Sequence, residues 1–372
     1  MAYPYSGQLR SNEIFAALFN MIISQQVFAD NIASTQSELV NMSKVDGTLY
    51  GDTKLYYSTD ILGSTAWGND AEAQNLLALH RPEAPEVQSI TISNFRQIAL
   101  TVDDYLSKRA WGDANAFGQF MAVMQGWVGL TKDIYEAKLF NTYVGTQQSS
   151  IGEQSVSIVL PSNENPEVEN RVQAQTIANE LANLYVKLAD ANRYFNDFGN
   201  YRSFAKEDMV VVWNAEFVNK ITKFDLPTIF HKDGLFDGFK HVLPAHYFGT
   251  INTSGGTTGT ANVTIRSLIE KDYNTVARNN PDYDASKHIF PGDLLPSSTA
   301  YGANETYTED STVVFKMYHK NSIPFMSAFE VGTSFFNPKS LTENRYLTWG
   351  YSDLEYLKNY PFITAKVVEA EA

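Results

Sequence analysis

Six histidines, His80, His231, His241, His246, His288 and His319, are the side chains best suited to proton transfer or metal ligation near neutral pH. None stands in the H-x-x-x-H spacing that would place two imidazoles on one helical face, and His241 and His246 are five apart. Acidic pairs at Asp103 with Asp104 and Asp282 with Asp284 carry groups that general acid–base catalysis needs. Such pairs are commoner at turns and helix starts, and Asp104 or Asp113 reads as a cap at the positive end of a helix. The Gly-rich run TSGGTTGT, Thr253 to Thr260, lacks the Lys-Ser/Thr that would reach a phosphate and its Mg²⁺, so it reads as a surface loop. Neither G-x-S-x-G nor G-x-G-x-x-G occurs. Asn-x-Ser/Thr sequons begin at Asn41, Asn252, Asn262 and Asn304, but they matter only in a secretory pathway. The sequence thus nominates no catalytic, cofactor-binding or metal-binding residue.

Composition narrows the class further. The 372 residues suffice for one large core or two to three modest ones. A 44% hydrophobic and 13% aromatic content exceeds what disordered chains carry. Lys+Arg 28 against Asp+Glu 42 gives a net charge of -14, which argues against a protein that grips phosphate backbones. With no cysteine there is no disulfide framework, thiolate metal site or Cys nucleophile, which fits a cytoplasmic origin. No run approaches the ~18 apolar residues of a membrane span. Ile14 to Ile23 behind a lone Arg10 reads as an amphipathic helix rather than a signal peptide.

Without a site to position, the question becomes what the elements present to one another. Asp113 to Val144 is the longest periodic stretch, with Phe117, Phe120, Met121, Met124, Trp127, Val128, Ile134, Tyr135, Leu139 and Phe140 near helical spacing. Gly118, Gly126 and Gly129 each weaken such a helix by roughly 1 kcal/mol relative to Ala, so packing must hold it. Ahead of it lie a helix from Ser11 to about Ala33, a strand-like run Thr48 to Tyr57, a polar stretch Ser58 to Glu86 and a second strand-like run Val87 to Val102. Two strands flanking roughly 30 residues make an arm with little core of its own, a length usually tied to function. Trp67, Leu76, Leu77 and Leu79 then need a surface supplied by another copy of the chain. After it come a strand at Ser155 to Pro161, a helix from about Glu169 to Asn196, and a strand Met209 to Trp213 buried on both faces. A helix over Ala215 to Phe224 follows, then loops from Asp225 to Glu305 with a helical stretch at Ser267 to Ala277. Thr312 to His319 alternates as a half-buried strand, Phe325 to Val331 and Arg345 to Trp349 are its partners, and an apolar run at Phe362 to Val368 closes the chain.

This order of parts resembles the major capsid protein of tailed bacteriophages with the Hong Kong 97 fold. Ile98 to Trp111 (IALTVDDYLSKRAW) running into Asp113 to Gly145 is similar to the end of that family's extended loop entering its spine helix. Glu169 to Trp213 resembles the axial domain's helix and buried strand, and Val313 to Trp349 the closing strands of the peripheral domain. The resemblance implies an α+β fold with an N-terminal arm in 1–42 and an extended β-hairpin loop in 43–101. It further implies a peripheral domain from 102–168 and 306–372, containing the spine helix, and an axial domain in 169–305. Phe117, Phe120, Met124, Trp127 and Ile134 would form the spine helix core. Tyr50, Tyr56, Trp67, Leu76, Leu77 and Arg81 on the extended loop would touch neighbouring subunits.

The function implied is structural: pentamers and hexamers closing into an icosahedral head around double-stranded DNA. The DNA would be enclosed without sequence-specific binding or a membrane, in a virion capsid assembled in the host bacterial cytoplasm. The charged scaffolding segment that some relatives carry at the N-terminus is not seen, which implies its removal or a separate scaffolding protein, alongside a portal. Burial between copies at ~25 cal/mol per Å² would hold the shell, and the acidic balance suits a wall to which DNA should not adhere. Three other readings compete: an encapsulin-like nanocompartment shell, a soluble acidic enzyme and a surface-layer protein.

Overall fold

The computed structural model describes residues 38–47, 49, 51–64, 79, 81–103, 114–146, 154–222, 241–253, 300–301 and 305–369. The expected helices at Ser11 to Ala33 and Ser267 to Ala277, most of the Gly-rich loop, and Tyr50, Trp67, Leu76 and Leu77 lie outside the described residues.

Two five-stranded sheets organise the described chain. The first has the order β1 (Lys44–Asp46), β11 (Phe325–Asn337), β12 (Thr342–Ser352), β3 (Glu86–Asp103) and β2 (Thr53–Ser58). The β1–β11 pairing is parallel and the others are antiparallel. Strand β3 runs for 18 residues, ~60 Å at ~3.3 Å per residue. Its first part pairs with β2 (Thr53↔Thr91 to Ser58↔Glu86), and its remainder pairs with β12 (Thr342↔Asp103 to Ser352↔Ile92).

The second sheet has the order β4 (Ser155–Leu160), β13 (Phe362–Glu369), β10 (Val313–His319), β5 (Met209–Asn214) and β6 (His241–Leu243). Helix α3 (Pro166–Ala189) covers one face, placing Ile177, Leu181, Leu184 and Leu188 in a cluster with Phe315, Met317 and Ile363. The other face shares a cluster with helix α2 (Ala114–Thr146), in which Leu139, Phe140, Tyr143 and Val144 join Val212, Val313, Tyr318 and Phe362. Helices α1 (Glu38–Ser43) and α4 (Ala215–Thr222), single 3₁₀ turns at Lys206–Asp208 and Ala245–Tyr247, and a small sheet of β7 (Gly249–Thr253), β9 (Glu305–Glu309) and β8 (Ala300–Tyr301) complete the described elements.

Several expectations are corrected here. Strand β10 is buried at all seven positions rather than half-buried, because its sheet is covered on both faces. The helix expected from Glu169 begins at Pro166, where Asn165 caps it by accepting the Glu167 N–H at 3.0 Å and proline fills the first turn. It ends at Ala189, so buried Phe195 belongs to the following turn and not to the helix face. The inner end of the β2/β3 excursion does have a core, since Ile90 and Ile92, each 1% exposed, pack with Met326 and Leu357. Segment 306–372 contributes strands to both large sheets: β11 and β12 lie in the first, so they are not the partners of β10, which pairs with β13 and β5 in the second.

Candidate assembly surfaces

Helix α2 extends for 33 residues, about 50 Å at ~1.5 Å per residue. The expectation of a single apolar face fails over its last third. From Tyr135 to Thr146 every residue but Lys138 is buried, so that end is enclosed all round. Ile134, expected in the core, is only half-buried at the point where the helix emerges. Phe117, Phe120, Met124 and Trp127 fall on the helix, with side chains outside the described set.

Polar groups under α2 tie it to the first sheet. Arg96 is 7% exposed, lies 4.8 Å from the Tyr135 ring centroid and donates Nε–H to the Tyr135 hydroxyl at 2.9 Å. That hydroxyl shares a 2.5 Å hydrogen bond with Tyr351, and burial holds the Tyr135 phenol well above its ordinary pKa, hence neutral. Glu136, 1% exposed, meets Lys44 Nζ at 2.9 Å and Lys132 Nζ at 3.9 Å, and Lys132 reaches on to Glu330. These charges bridge α2, β1 and β11 and fix their spacing. They do not converge on an open site.

A second polar junction gathers distant segments around Asp197. It accepts from Gln154 Nε2 at 2.7 Å and from the Tyr356 hydroxyl, and its N–H donates to the Lys358 carbonyl at 2.7 Å. Gln88 joins β3 to the same segment, donating to the Tyr356 carbonyl at 3.0 Å and accepting from the Lys358 N–H at 2.9 Å. These bonds hold Gln154, Asp197, β3 and the 356–358 segment at fixed distances from one another. Among the described residues no group of three His, Cys, Asp or Glu could hold a metal ion.

Part of what is left open is apolar. Beyond the helix, β11, β12 and the outer half of β3 form a projecting blade, and the β11–β12 tip exposes Phe335 (68%), Phe336 (54%) and Leu341 (43%). Leu341 has φ 55, a left-handed conformation that costs a non-glycine residue roughly 1–2 kcal/mol. An open groove of about 370 Å³ lies between Val128 of α2 and the blade residues Leu100, Tyr346 and Leu347. Glu343 and Arg345 in its wall pair with each other at 3.0 Å. Where the excursion leaves the body, Leu55, Tyr57, Ile61 and Leu62 are each at least half exposed, and Leu79 is 80% exposed.

Of the expected intersubunit residues, Arg81 is exposed while Tyr56 is partly buried against the chain's own Ile90 cluster, where burial raises its phenol pKa. The blade tip was missed by the sequence reading. Its signal is the Phe335-Phe336 pair, because neighbours on a strand point to opposite faces and a lone hairpin cannot bury both.

Neither a family model nor a curated protein matches the sequence. Solved structures do match. A chain in the capsid structure of Staphylococcus phage Andhra superposes with a TM-score of 0.64 at 10% identity, covering 93% of this chain and 87% of that one. This is a phage capsid fold. A chain in the structure of the head fiber and inner core protein gp22 of native bacteriophage P68 gives a TM-score of 0.61 at 11% identity, covering 92% of this chain and 87% of that one. The capsid likeness read from the order of elements is therefore found again in three dimensions, where residue identity is too low to carry it.

Proposed function

We propose that the chain is the major capsid subunit of a tailed bacteriophage, a non-enzymatic structural protein that builds pentamers and hexamers of an icosahedral head around double-stranded DNA. The observation that carries this reading is the likeness to the Andhra capsid chain over 93% of the residues. The apolar surface left open on the blade tip and excursion supports it, because that surface reaches water unless a second copy covers it. In this reading residues 1–42 are the arm, 43–101 the extended loop, and α2 the spine of a peripheral domain formed by 102–168 and 306–372. Residues 169–305 then form the axial domain. Tyr50, Trp67, Leu76, Leu77 and Arg81 act as intersubunit contacts. A separate scaffolding protein and a portal would complete assembly in the host cytoplasm.

Expression of the full chain, followed by size-exclusion chromatography and negative-stain imaging, tests the proposal. Closed megadalton particles are expected, alone or on adding the phage's scaffolding protein. A 41.7 kDa monomer under both conditions overturns it. Particles from infected cells carrying genome-length DNA support the phage head, whereas particles holding only cargo protein replace it with a nanocompartment shell.

A further inference from the structure

Strand β2 ends at Ser58, and the next two residues are bound to a part of the chain more than 130 positions away. The Ser58 side chain, 5% exposed, donates to Asn359 Oδ1 at 2.7 Å and accepts from Asn200 Nδ2 at 2.9 Å. Arg202 spans the junction, donating Nη2–H to the Thr59 carbonyl at 2.6 Å and to Ser58 Oγ at 3.1 Å, and Nε–H to Asn359 Oδ1 at 3.0 Å. Asp60 accepts the Tyr201 N–H at 2.9 Å on one oxygen and meets Arg193 Nη2 at 2.5 Å on the other. The receiving turn is itself braced. Asn196 and Asn200 exchange hydrogen bonds of 2.7 and 2.9 Å, and Arg193 stacks 4.3 Å from the Tyr201 ring. Immediately past this junction Ile61 and Leu62 are 60% and 76% exposed.

Hydrogen bonds to charged groups are worth more than neutral ones, and several on one short stretch restrain direction as well as position. The strand pairing of β2 with β3 already holds residues 53–58, so contacts at 59 and 60 add nothing to the sheet. They fix the heading of the chain after the sheet ends.

We propose that Asp60, Arg193 and Arg202 are positioning residues: a polar clamp that sets the direction in which the excursion leaves the body and so the angle at which it meets a second copy. The second clause rests on the assembly reading above; the first does not. The carboxyl of Asp60 is held below its ordinary pKa, first by the Tyr201 N–H and then by the Ile61 amide and Arg193, so the clamp persists in mild acid.

The absence of native cysteine permits clean labelling. Spin labels at Leu62→Cys and Val186→Cys, both on exposed positions, report the heading of residue 62 against α3 in the unassembled subunit. Asp60→Ala with Arg202→Ala is expected to broaden the distance distribution about twofold, with far-UV circular dichroism unchanged. The milder Asp60→Asn, which keeps the Tyr201 acceptor and loses the ion pair, gives an intermediate width and serves if the double variant does not fold. An unaltered distribution in Asp60→Asn and in the double variant overturns the clamp, whatever the wild-type chain assembles into. If wild-type particles form and the clamp variants give particles of the same diameter and yield, the link from clamp to contact angle is overturned alone.

Discussion

Lys316 lies at the centre of the second sheet, opposite Val212 on one side and Thr364 on the other, and is 1% exposed. Its ammonium sits 5.8 Å from the Phe362 ring centroid, within the influence of the Lys366–Asp310 pair, itself 2.8 Å apart. Burial first, and the Lys366 charge second, lower its pKa to about 7, with Asp310 opposing. The sign of the linkage follows. Below about 7 both folded and unfolded chains hold the proton, and the buried charge costs its full penalty. Between about 7 and the ordinary 10.5 only the unfolded chain holds it, so stability rises with pH through that window and then levels. Lys316→Met is expected to stabilise the subunit by on the order of a few kcal/mol at pH 6 and to flatten the rise between pH 7 and 10. Urea unfolding at a series of pH values checks it, and an unchanged slope in the variant rules it out.

At the scale of elements, the middle and the C-terminal end of α2 make opposite demands on glycine. A Cβ on Gly145 would stand 2.0 Å from the Tyr247 carbonyl oxygen, a backbone atom that cannot step aside, whereas one on Gly126 or Gly129 would meet nothing within 4 Å. Gly129→Ala should therefore stabilise the isolated subunit by roughly 0.5–1 kcal/mol. Gly145→Ala should destabilise it by about 1–3 kcal/mol in spite of the better helix former. Thermal unfolding of the two variants decides, and a gain for both would refute the close packing of α2 on the Ala245–Tyr247 turn. The β11–β12 tip gives a matching test. Leu341→Gly relieves the left-handed strain and should raise subunit stability by up to about 1 kcal/mol while lowering particle yield. Equal yield would remove the tip from the assembly surface.

The same elements explain what the sequence could tell. Strand and helix periods located β3 and α2, and unbroken apolar runs located β5 and β13, because each has a consistent environment along most of its length. The Asn165-Pro166 start of α3 was legible as a cap and first turn, yet it lay inside a run whose Asn and Pro content also suits a turn. Burial was harder, since alternation in β10 describes one face and the second cover comes from Leu139 to Val144 of α2, far earlier in the chain. Arg96, Glu136 and the Ser58–Asp60 clamp were invisible for the same reason, their partners being fixed by tertiary contact alone.

For the whole molecule, an order of elements was enough to suggest a capsid fold where sequence comparison finds nothing, because packing constrains lengths and order more tightly than residue identity. Arg96, Glu136, Asp197 and Asp60 all face other parts of the chain and set distances between elements.

Strand β3 carries one further consequence. Because it is hydrogen-bonded to β2 over one stretch and to β12 over the other, tension along the excursion is carried into the blade as shear, with a row of bonds loaded together. Tension across the strand would open the same bonds one at a time. A subunit so built resists stretching along β3 far better than peeling, and pulling experiments along the two axes should give clearly unequal rupture forces.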